Sequence, residues 1–313
     1  MRLQQLRYAI AVAEEGSINA AAHRLFVSQS SLSVAVRDLE QEMGIRIFAR
    51  TTRGVSVTSD GAEFLSYARQ VLEQADLLES RYQGEKGKTR RRLAVSSQHY
   101  AFVVNAFSRF VRECDDGSPC ELTLRETRTA EIISDVAAFR ADLGILYLGT
   151  SNERALSRRL DEADLGFYLL FRARPHVFVH EGHPLAALGR AVRVQDLAPW
   201  PRYTFEQGLE SSLYFSEEPL AALPHDRQIV VSDRATMTTL LRDYDGFLVS
   251  TGVRSDEMFT GIVSLPLETD EVMNVGYVVH AERRLSGLAR SYLDCLLQTV
   301  RDFGDESVVL ASR

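Results

Sequence analysis

A short polar run near the N-terminus carries side chains suited to contact the edges of nucleic-acid bases. Glutamine can pair with adenine, serine can donate or accept a hydrogen bond, and arginine can bind guanine or a phosphate. The same residue types also occur on ordinary solvated helix faces, so the surrounding elements must decide between the two interpretations. The run consists of Ser28, Gln29, Ser30, Ser31, Ser33, Val34 and Arg37.

A second set of candidate side chains follows apolar segments further along the chain. Hydroxyls, an amide and a guanidinium at the ends of strands would suit a small anion or carboxylate. Serine and threonine at such turns also commonly do no more than cap the following helix. This set consists of Ser96, Ser97, Gln98, Arg128, Thr129, Thr204 and Thr251.

Three short helices are predicted to position the first run. Apolar spacing predicts a first helix that ends at Gly16, a second capped by Ser17 and a third capped by Ser28 that stops at Gly44. Helices of this length joined by a brief turn indicate a helix-turn-helix, whose recognition helix enters the major groove N-terminal end first. The residues predicted to face inward include Leu6, Ile10, Ala21, Ala22, Leu25, Phe26, Leu32, Val36, Leu39 and Met43.

The segments 45–50 and 54–58 alternate like two strands around a turn, which predicts a hairpin wing. Arg50 and Arg53 on that wing could reach the DNA backbone or a narrow minor groove. As isolated arginines they would more often face solvent.

A long helix is predicted from Thr58 or Ser59 to Gly84, with one apolar stripe. At ~1.5 Å per residue such a helix is roughly 38 Å long, too long for a winged module alone to cover. Its partner is either a second chain, which we favour, or the C-terminal part of the same chain. The basic stretch 84–92 is typical of a flexible hinge, although a basic run could equally contact phosphate.

Strands and helices then alternate from Leu93 onward, which predicts α/β units with a parallel sheet. Strands are expected at 93–96, 122–126, 143–147, 177–180, 203–205, 229–231, 246–250 and 274–280. Helices are expected at about 100–114, 130–140, 211–218, 235–242 and 286–303.

Composition limits the remaining possibilities. No apolar run approaches the ~20 residues of a membrane span, and the N-terminus lacks the pattern of a signal peptide, so we expect a cytoplasmic protein without membrane contact. Three cysteines without metal-ligand spacing predict neither a disulfide scaffold nor a metal site, and no cofactor is expected. Residues 1–92 hold 14 Lys and Arg against 11 Asp and Glu, a net +3, whereas the remainder carries −10. The basic front weakly favours contact with nucleic acid.

The ordered set of residues from Ser17 to Gly61 resembles the LysR-type transcriptional regulators. The resemblance lies in residues 17–22, Leu25, 27–33, Leu39-Glu40, Gly44, 48–50, 54–58 and Gly61. Ser30 and Ser31 stand where the family often has proline and alanine, which would change operator preference. The front end is most similar to regulators of sulfur amino acid uptake in Gram-positive bacteria.

The resemblance implies a winged helix-turn-helix over 1–58, a dimerising linker helix with its hinge over 59–92, and an effector-binding domain over 93–313. That domain would have two periplasmic-binding-protein-like lobes, one of about 93–170 with 272–313 and the other of about 171–271. Implied partners are operator DNA, a small-molecule effector, RNA polymerase and further copies of the chain, as a dimer or tetramer. Ser96, Ser97 and Gln98 match the family's most regular effector contact.

Three other functions are weighed against this interpretation. An enzyme is disfavoured because the sequence has no nucleophile elbow or glycine-rich phosphate loop. A small-molecule-binding protein without a regulatory role would not need the winged helix. Members of the family that sense peroxide carry their cysteine pair in the second lobe, whereas Cys114 and Cys120 flank a turn in the first lobe, so a buried or structural role is favoured for them.

Overall fold

The computed structural model describes residues 1–51, 54–82, 91–208, 213–254, 259–281 and 283–311. Its contacts divide the chain into two compact units, Met1–Arg90 and Arg91–Arg313. None of the helices in these ranges is both long and apolar enough to span a membrane.

The described residues of the first unit form four helices and one hairpin. Ser17 and Ser28 cap the second and third helices through their hydroxyls, and the first and third helices end at glycines in the left-handed conformation, as predicted. The elements are α1 (Leu3–Glu15), α2 (Ile18–Arg24), α3 (Gln29–Met43), β1 (Phe48–Thr51), β2 (Gly54–Val57) and α4 (Ser59–Tyr82).

The inward orientation predicted for Phe26 is wrong. Its side chain is 95% exposed, whereas its neighbours Leu25 and Val27 pack on the core. The reason is a backbone φ of 53° directly after α2, which turns this side chain outward. A left-handed conformation is costly for a bulky residue, so the turn between α2 and α3 carries some strain.

The predicted hairpin is confirmed, although β1 begins at Phe48 and not at Ile45. The Glu40 carboxylate accepts hydrogen bonds from the backbone N–H groups of Ile47 and Phe48, at 2.8 and 3.0 Å. It thereby fixes the chain between α3 and the wing.

Two glycines let backbones approach closely around this wing. A Cβ on Gly54 would lie 2.3 Å from the Gly16 carbonyl oxygen, and one on Gly61 would lie 2.2 Å from that of Ile47. The Thr58 hydroxyl accepts from the Gly61 N–H at 2.9 Å and so caps the first turn of α4. The motif residues at these positions therefore have a packing role in this module.

The second unit holds five further helices and twelve further strands among the described residues. In chain order they are β3 (Arg91–Ser97), α5 (Ala101–Cys114), β4 (Cys120–Glu126), α6 (Thr129–Ala137), β5 (Leu143–Leu148), α7 (Glu153–Asp161), β6 (Leu165–Ala173), β7 (Pro175–His180), β8 (Val192–Arg193), β9 (Arg202–Phe205), β10 (Gln228–Val231), α8 (Arg234–Asp243), β11 (Leu248–Thr251), β12 (Ile262–Glu268), β13 (Met273–His280), α9 (Gly287–Phe303) and β14 (Val308–Leu310).

One six-stranded sheet has the order β14-β6-β13-β5-β3-β4 and defines what we call the first lobe, residues 91–173 and 273–311. Only β3, β4 and β5 are parallel, while β6, β13 and β14 pair antiparallel, so the prediction of a parallel sheet is wrong for half of it. The antiparallel half arises because β13 and β6 pair at the two points where the chain leaves and re-enters this lobe.

The second lobe, residues 175–268, is built on a four-stranded sheet of order β11-β7-β12-β8. The parallel pair β9 and β10 adjoins it through a bridge between Arg202 and Phe247. Strand β6 stays in the first sheet as far as Ala173, and β7 starts at Pro175. The chain therefore crosses between the sheets at Arg174, three residues after the predicted boundary.

The helix predicted over 211–218 is not formed in the described part of that segment, which has a single 3-10 turn at Leu213–Phe215. Pro219 disfavours helical geometry at the residue before it. The side chains of Glu217 and Glu218 instead accept hydrogen bonds from backbone N–H groups elsewhere in the unit. Helix α7 and strands β6, β8, β12 and β14 were not predicted.

Candidate functional sites

The outward end of α3 presents the polar run in solvent. Ser28, Gln29, Ser30, Ser31 and Arg37 are exposed, and Ser33 is half-buried. The Ser28 hydroxyl accepts from the Ser31 N–H at 3.1 Å and lies 2.7 and 3.1 Å from the hydroxyls of Ser31 and Ser30. The helix therefore begins with a cluster of hydroxyls that is open to a partner.

This end of α3 carries groups of the kinds that contacts with phosphates and bases require. Helix N-termini favour negative charge because their first N–H groups lack partners within the helix. Gln29 and Arg37 supply the longer donors and acceptors on the same outward face. Of the two wing arginines, only the backbone of Arg50 is described, and Arg53 lies outside the described residues.

Helix α4 uses two faces differently. Leu65 and Ala68 are buried against the core formed with α1, whereas Tyr67 and Val71 are 49% and 40% exposed. Tyr67 and Val71 are four residues apart and so share one face of the helix. Part of the apolar stripe that was predicted to need a partner is thus buried within the module itself. The face with Tyr67 and Val71 stays exposed.

Five residues of the second set lie at one edge of the first lobe, where β3 and β4 end, whereas Thr204 and Thr251 lie on strands β9 and β11 of the second lobe. Elements of the second lobe reach this edge, and we call the region between them the cleft. The hydrogen bonds and ion pairs that cross it join Thr129 to Gln207 and Phe215, Arg128 to Glu206, Glu126 to Arg234, and His99 to Glu217.

Ser96 does not contribute to the cleft. Its hydroxyl donates to the buried Asp135 carboxylate on α6 at 2.7 Å. Burial opposes ionisation of Asp135, but hydrogen bonds from Ser96, Arg140 and Arg125 outweigh it and hold the pKa of Asp135 below its usual range. Ser96 is part of an internal ionic cluster.

Gln98 and Thr129 are brought together, and both are fully buried. The Gln98 Nε2 donates to the Thr129 hydroxyl at 2.7 Å, while its Oε1 accepts from the Tyr100 hydroxyl and the Tyr147 N–H. The Ser97 hydroxyl donates to the Gln98 carbonyl. These buried side chains are hydrogen-bonded to one another and to the backbone at the cleft edge of the first lobe.

The remaining predicted residues occupy different places. Arg128 bridges the lobes by pairing with Glu206 at 3.0 Å. Thr204 accepts from the Gln228 Nε2 at 2.9 Å inside the second lobe. Thr251 is buried at the end of β11, where it is paired with Pro175.

The most extensive contact across the cleft involves residues that the sequence did not single out. The Glu217 carboxylate accepts from the His99 backbone N–H at 2.8 Å and lies 2.9 Å from the His99 Nδ1. The Gln207 Nε2 donates to it at 3.0 Å. The His99 ring stacks on Phe205 at 4.1 Å between centroids. His99 directly follows Gln98, which was the one available signal in the sequence.

Glu218 is fully buried beside this contact. Burial raises the pKa of its carboxyl to about 7, and the neighbouring Glu217 carboxylate adds to the rise. The Phe205 N–H and the Ser216 hydroxyl both donate to it at 2.8 Å. The buried Arg202 guanidinium donates to the backbone carbonyls of Pro219 and Leu220, the two residues that follow Glu218, and so anchors this loop.

Arg234, the first residue of α8, pairs with Glu126 at the end of β4. Burial lowers the pKa of the Arg234 guanidinium to about 10, a value at which it stays charged near neutral pH. The cleft therefore contains cationic groups from both lobes.

The three cysteines are free thiols. Cys114 is half-buried, Cys120 exposed and Cys295 buried. Burial is the main cause that raises the pKa of the Cys114 thiol. A raised pKa reduces the thiolate fraction that reacts with oxidants.

Comparison with protein families gives two matches that together span most of the chain. The family model described as the bacterial regulatory helix-turn-helix protein of the lysR family matches residues 3–62. The model described as the LysR substrate binding domain matches residues 86–301.

Among curated proteins, the chain is similar to the uncharacterized helix-turn-helix transcriptional regulator YnfL of Escherichia coli. The two are 34% identical over 218 residues, which covers 68% of this chain and 69% of the relative. The regulator ClcR of Pseudomonas putida is 48% identical over 77 residues, about a quarter of each chain.

Among solved structures, the fold is similar to that of a full-length OxyR variant from Pseudomonas aeruginosa. The TM-score is 0.68 at 21% identity, with 100% of this chain and 99% of the other covered. Full-length BenM matches with a TM-score of 0.50 at 21% identity, covering 98% and 99% of the two chains.

Proposed function

The chain belongs to the LysR family of bacterial transcriptional regulators, with an N-terminal helix-turn-helix and an effector-binding domain, and from this membership we propose how its own residues divide the work. The observation that carries the proposal is the exposed cluster of hydroxyls, with Gln29 and Arg37, at the N-terminal end of α3.

This face reads base edges in the major groove. Gln29 pairs with adenine, the hydroxyls of Ser30, Ser31 and Ser33 accept or donate, and Arg37 binds guanine or phosphate. Ser28 keeps the helix end in shape, and Arg50 and Arg53 on the wing contact the backbone or minor groove.

Two copies of the chain act together through α4. The exposed Tyr67 and Val71 form an apolar face beside the part of the helix that packs on its own module. Pairing this face with that of a second copy places two winged modules on one DNA, at half-sites related by the dimer symmetry. Effector domains then assemble dimers into a tetramer whose shape sets DNA bending and contact with RNA polymerase.

The cleft binds a small anion, with a metabolite or amino acid carboxylate as the chemical class. Support comes from the cationic groups Arg128 and Arg234, from His99, and from the N-terminal ends of α5 and α6. Ligand binding changes how the lobes close, and that change reaches the DNA through the oligomer.

Two other functions within this fold have less support. The family consists of regulators and not enzymes, and we assign no catalytic residue. A redox-sensing regulator would need a reactive thiol pair, whereas burial raises the pKa of Cys114. Mass spectrometry after mild peroxide would overturn this preference if it found a bond between Cys114 and Cys120.

Gel shifts on the promoter beside the protein's own gene test the DNA-reading face. We expect Gln29→Ala to weaken specific binding by roughly 1–3 kcal/mol, the loss typical of one bidentate base contact. Gln41→Ala, an exposed glutamine at the other end of α3, is the matched control and should bind like the wild type. Equal binding by all three proteins would remove α3 as the reading element.

A further inference from the structure

The carboxylate of Glu217 is already bound at the turn that leads from β3 into α5, at the edge of the cleft. Glu217 lies 118 residues from His99 in sequence, yet its carboxylate is within hydrogen-bond distance of both the backbone N–H and the ring Nδ1 of that residue. The His99 side chain is 7% exposed and that of Glu217 is 4% exposed. The pair is thus enclosed between the two lobes.

The surroundings of this carboxylate are those of an anion site. His99 immediately precedes the N-cap of α5, and Tyr100 at the N-cap position makes no side-chain capping bond in the described structure. The positive end of the α5 dipole lies close to this carboxylate and favours negative charge there. Gln207 supplies one more donor, and Phe205 fixes the plane of the His99 ring.

Loop 213–219 ties this carboxylate to the lobe interface. The Phe215 carbonyl, on the same loop, accepts from the Thr129 hydroxyl at 2.9 Å at the start of α6. Gln207 accepts from the Thr129 N–H as well as donating to Glu217. The contacts of the second lobe with α5 and α6 are therefore mechanically linked through Glu217 and Gln207.

We propose that Glu217 is a tethered anion that fills the cleft's carboxylate subsite, and that a ligand's carboxylate must displace it to bind. This proposal rests on the cleft being the effector site. Displacement frees the loop that holds the second lobe against α5 and α6, so ligand occupancy and lobe closure become coupled. The fitting ligand is a small molecule with a carboxylate on a short, flexible stem, like the glutamate side chain it replaces.

The tether sets the threshold for such a ligand. A group held on its own chain competes at an effective concentration of about millimolar or more, so weakly binding carboxylates cannot displace it. Removing the tether should therefore expose a site that simple carboxylates can fill.

Titration of full-length protein with propionate tests the proposal, since propionate carries its carboxylate on a short stem like that of the Glu217 side chain, which truncation to alanine reduces to a methyl group. We expect propionate to bind Glu217→Ala at least tenfold more tightly than wild type and to raise its melting temperature. Propionamide, which has the same shape without the charge, should do neither. Introducing His99→Ala into the Glu217→Ala protein should abolish the gain.

Glu217→Gln guards against misfolding, because it keeps the acceptor oxygen and loses only the charge. It should also bind propionate more tightly than wild type does. Equal propionate binding by the wild type and both variants, or binding by none of them, would overturn the proposal.

Gel shifts with the same proteins separate this proposal from the proposed function. If the wild type and variants bind promoter DNA and propionate does not discriminate between them, only the role of Glu217 fails. If none binds DNA specifically, the regulatory function fails whatever propionate does.

Discussion

The outward end of α3 and the cleft between the lobes are both formed at helix N-termini, yet their side chains are in opposite states. On α3 the hydroxyls contact one another and solvent. In the cleft, Gln98 and Thr129 are buried and bonded, and Glu217 covers the turn that leads into α5.

This difference assigns the two regions different tasks. A preformed, solvated face can dock on DNA without first breaking internal contacts, and its affinity is then set by the contacts it gains. A cleft whose polar groups are already satisfied binds a ligand only in exchange for internal bonds. Such an exchange is what a regulatory site requires, because each ligand then has a conformational consequence.

A substitution at Gly61 should loosen the packing between the wing and α4 in the DNA-reading module. A Cβ there would lie 2.2 Å from the Ile47 carbonyl oxygen, so Gly61→Ala must push α4 away from the wing. We expect a loss of about 3 kcal/mol in the stability of this module, typical of overpacking. Amide hydrogen exchange of α1, α3 and α4 measures it.

Gly287→Ala is the matched control, since it also adds a methyl group in the first turn of a helix but meets nothing within 4 Å. It should leave exchange unchanged. Equal protection in the two variants would show that the wing and α4 are not closely packed.

The cleft should differ from the module in its response to pH because of Glu218. Its carboxyl has a pKa of about 7 in the folded protein, against an ordinary value of 4.5 for glutamate, so the folded state binds the proton more tightly. The stabilisation is complete below about pH 4.5 and is lost as pH rises through 7, a change of about 3 kcal/mol at 1.36 kcal/mol per pKa unit.

Urea unfolding followed by the fluorescence of Trp200, the single tryptophan, reports this change in the second lobe. Glu218→Gln should flatten the decline between pH 5 and pH 8. A variant that declines as steeply as the wild type would contradict the assignment of the pH dependence to this carboxyl.

The smallest expected effect concerns Phe26, in the turn that precedes the DNA-reading helix α3. Phe26 is held at φ 53°, a conformation that asparagine adopts at lower cost. Phe26→Asn should stabilise the α2–α3 turn by about 1 kcal/mol, within the range for left-handed strain. Hydrogen exchange at the start of α3 measures this gain.

Phe26→Ala removes the same exposed ring but keeps a residue unsuited to positive φ, so it should show no gain. If alanine stabilises as much as asparagine does, the exposed ring and not the backbone is the source of the cost.

The helices of the first module could be predicted in detail from the sequence, because the residues that start and stop them act locally. Caps at Ser17 and Ser28 and glycine stops at Gly16 and Gly44 act within a few residues, so pattern alone places the helices. The exposure of Phe26 was not predicted, because the inward spacing assumes that the helix continues through this residue. Its left-handed backbone conformation interrupts the helix.

The sequence predicts the position of the cleft but not its contacts, because these contacts join residues far apart in the chain. The turn with Ser97 and Gln98 and the turn with Thr129 were both predicted, since each follows the end of a strand. The pairing of His99 with Glu217 joins residues 118 positions apart, and the sequence around Glu217 reads as a helix. Only tertiary structure shows that this glutamate leaves its own segment and bonds to another lobe.

The central claim is that this chain reads DNA as one of a pair through α3. Footprinting of the full-length protein on the promoter beside its own gene tests it most directly, with Gln29→Ala and Arg50→Ala as companions. The account predicts protection of two half-sites in an inverted repeat, and loss of that protection in both variants. Protection that ignores sequence and is unchanged by either substitution would contradict it.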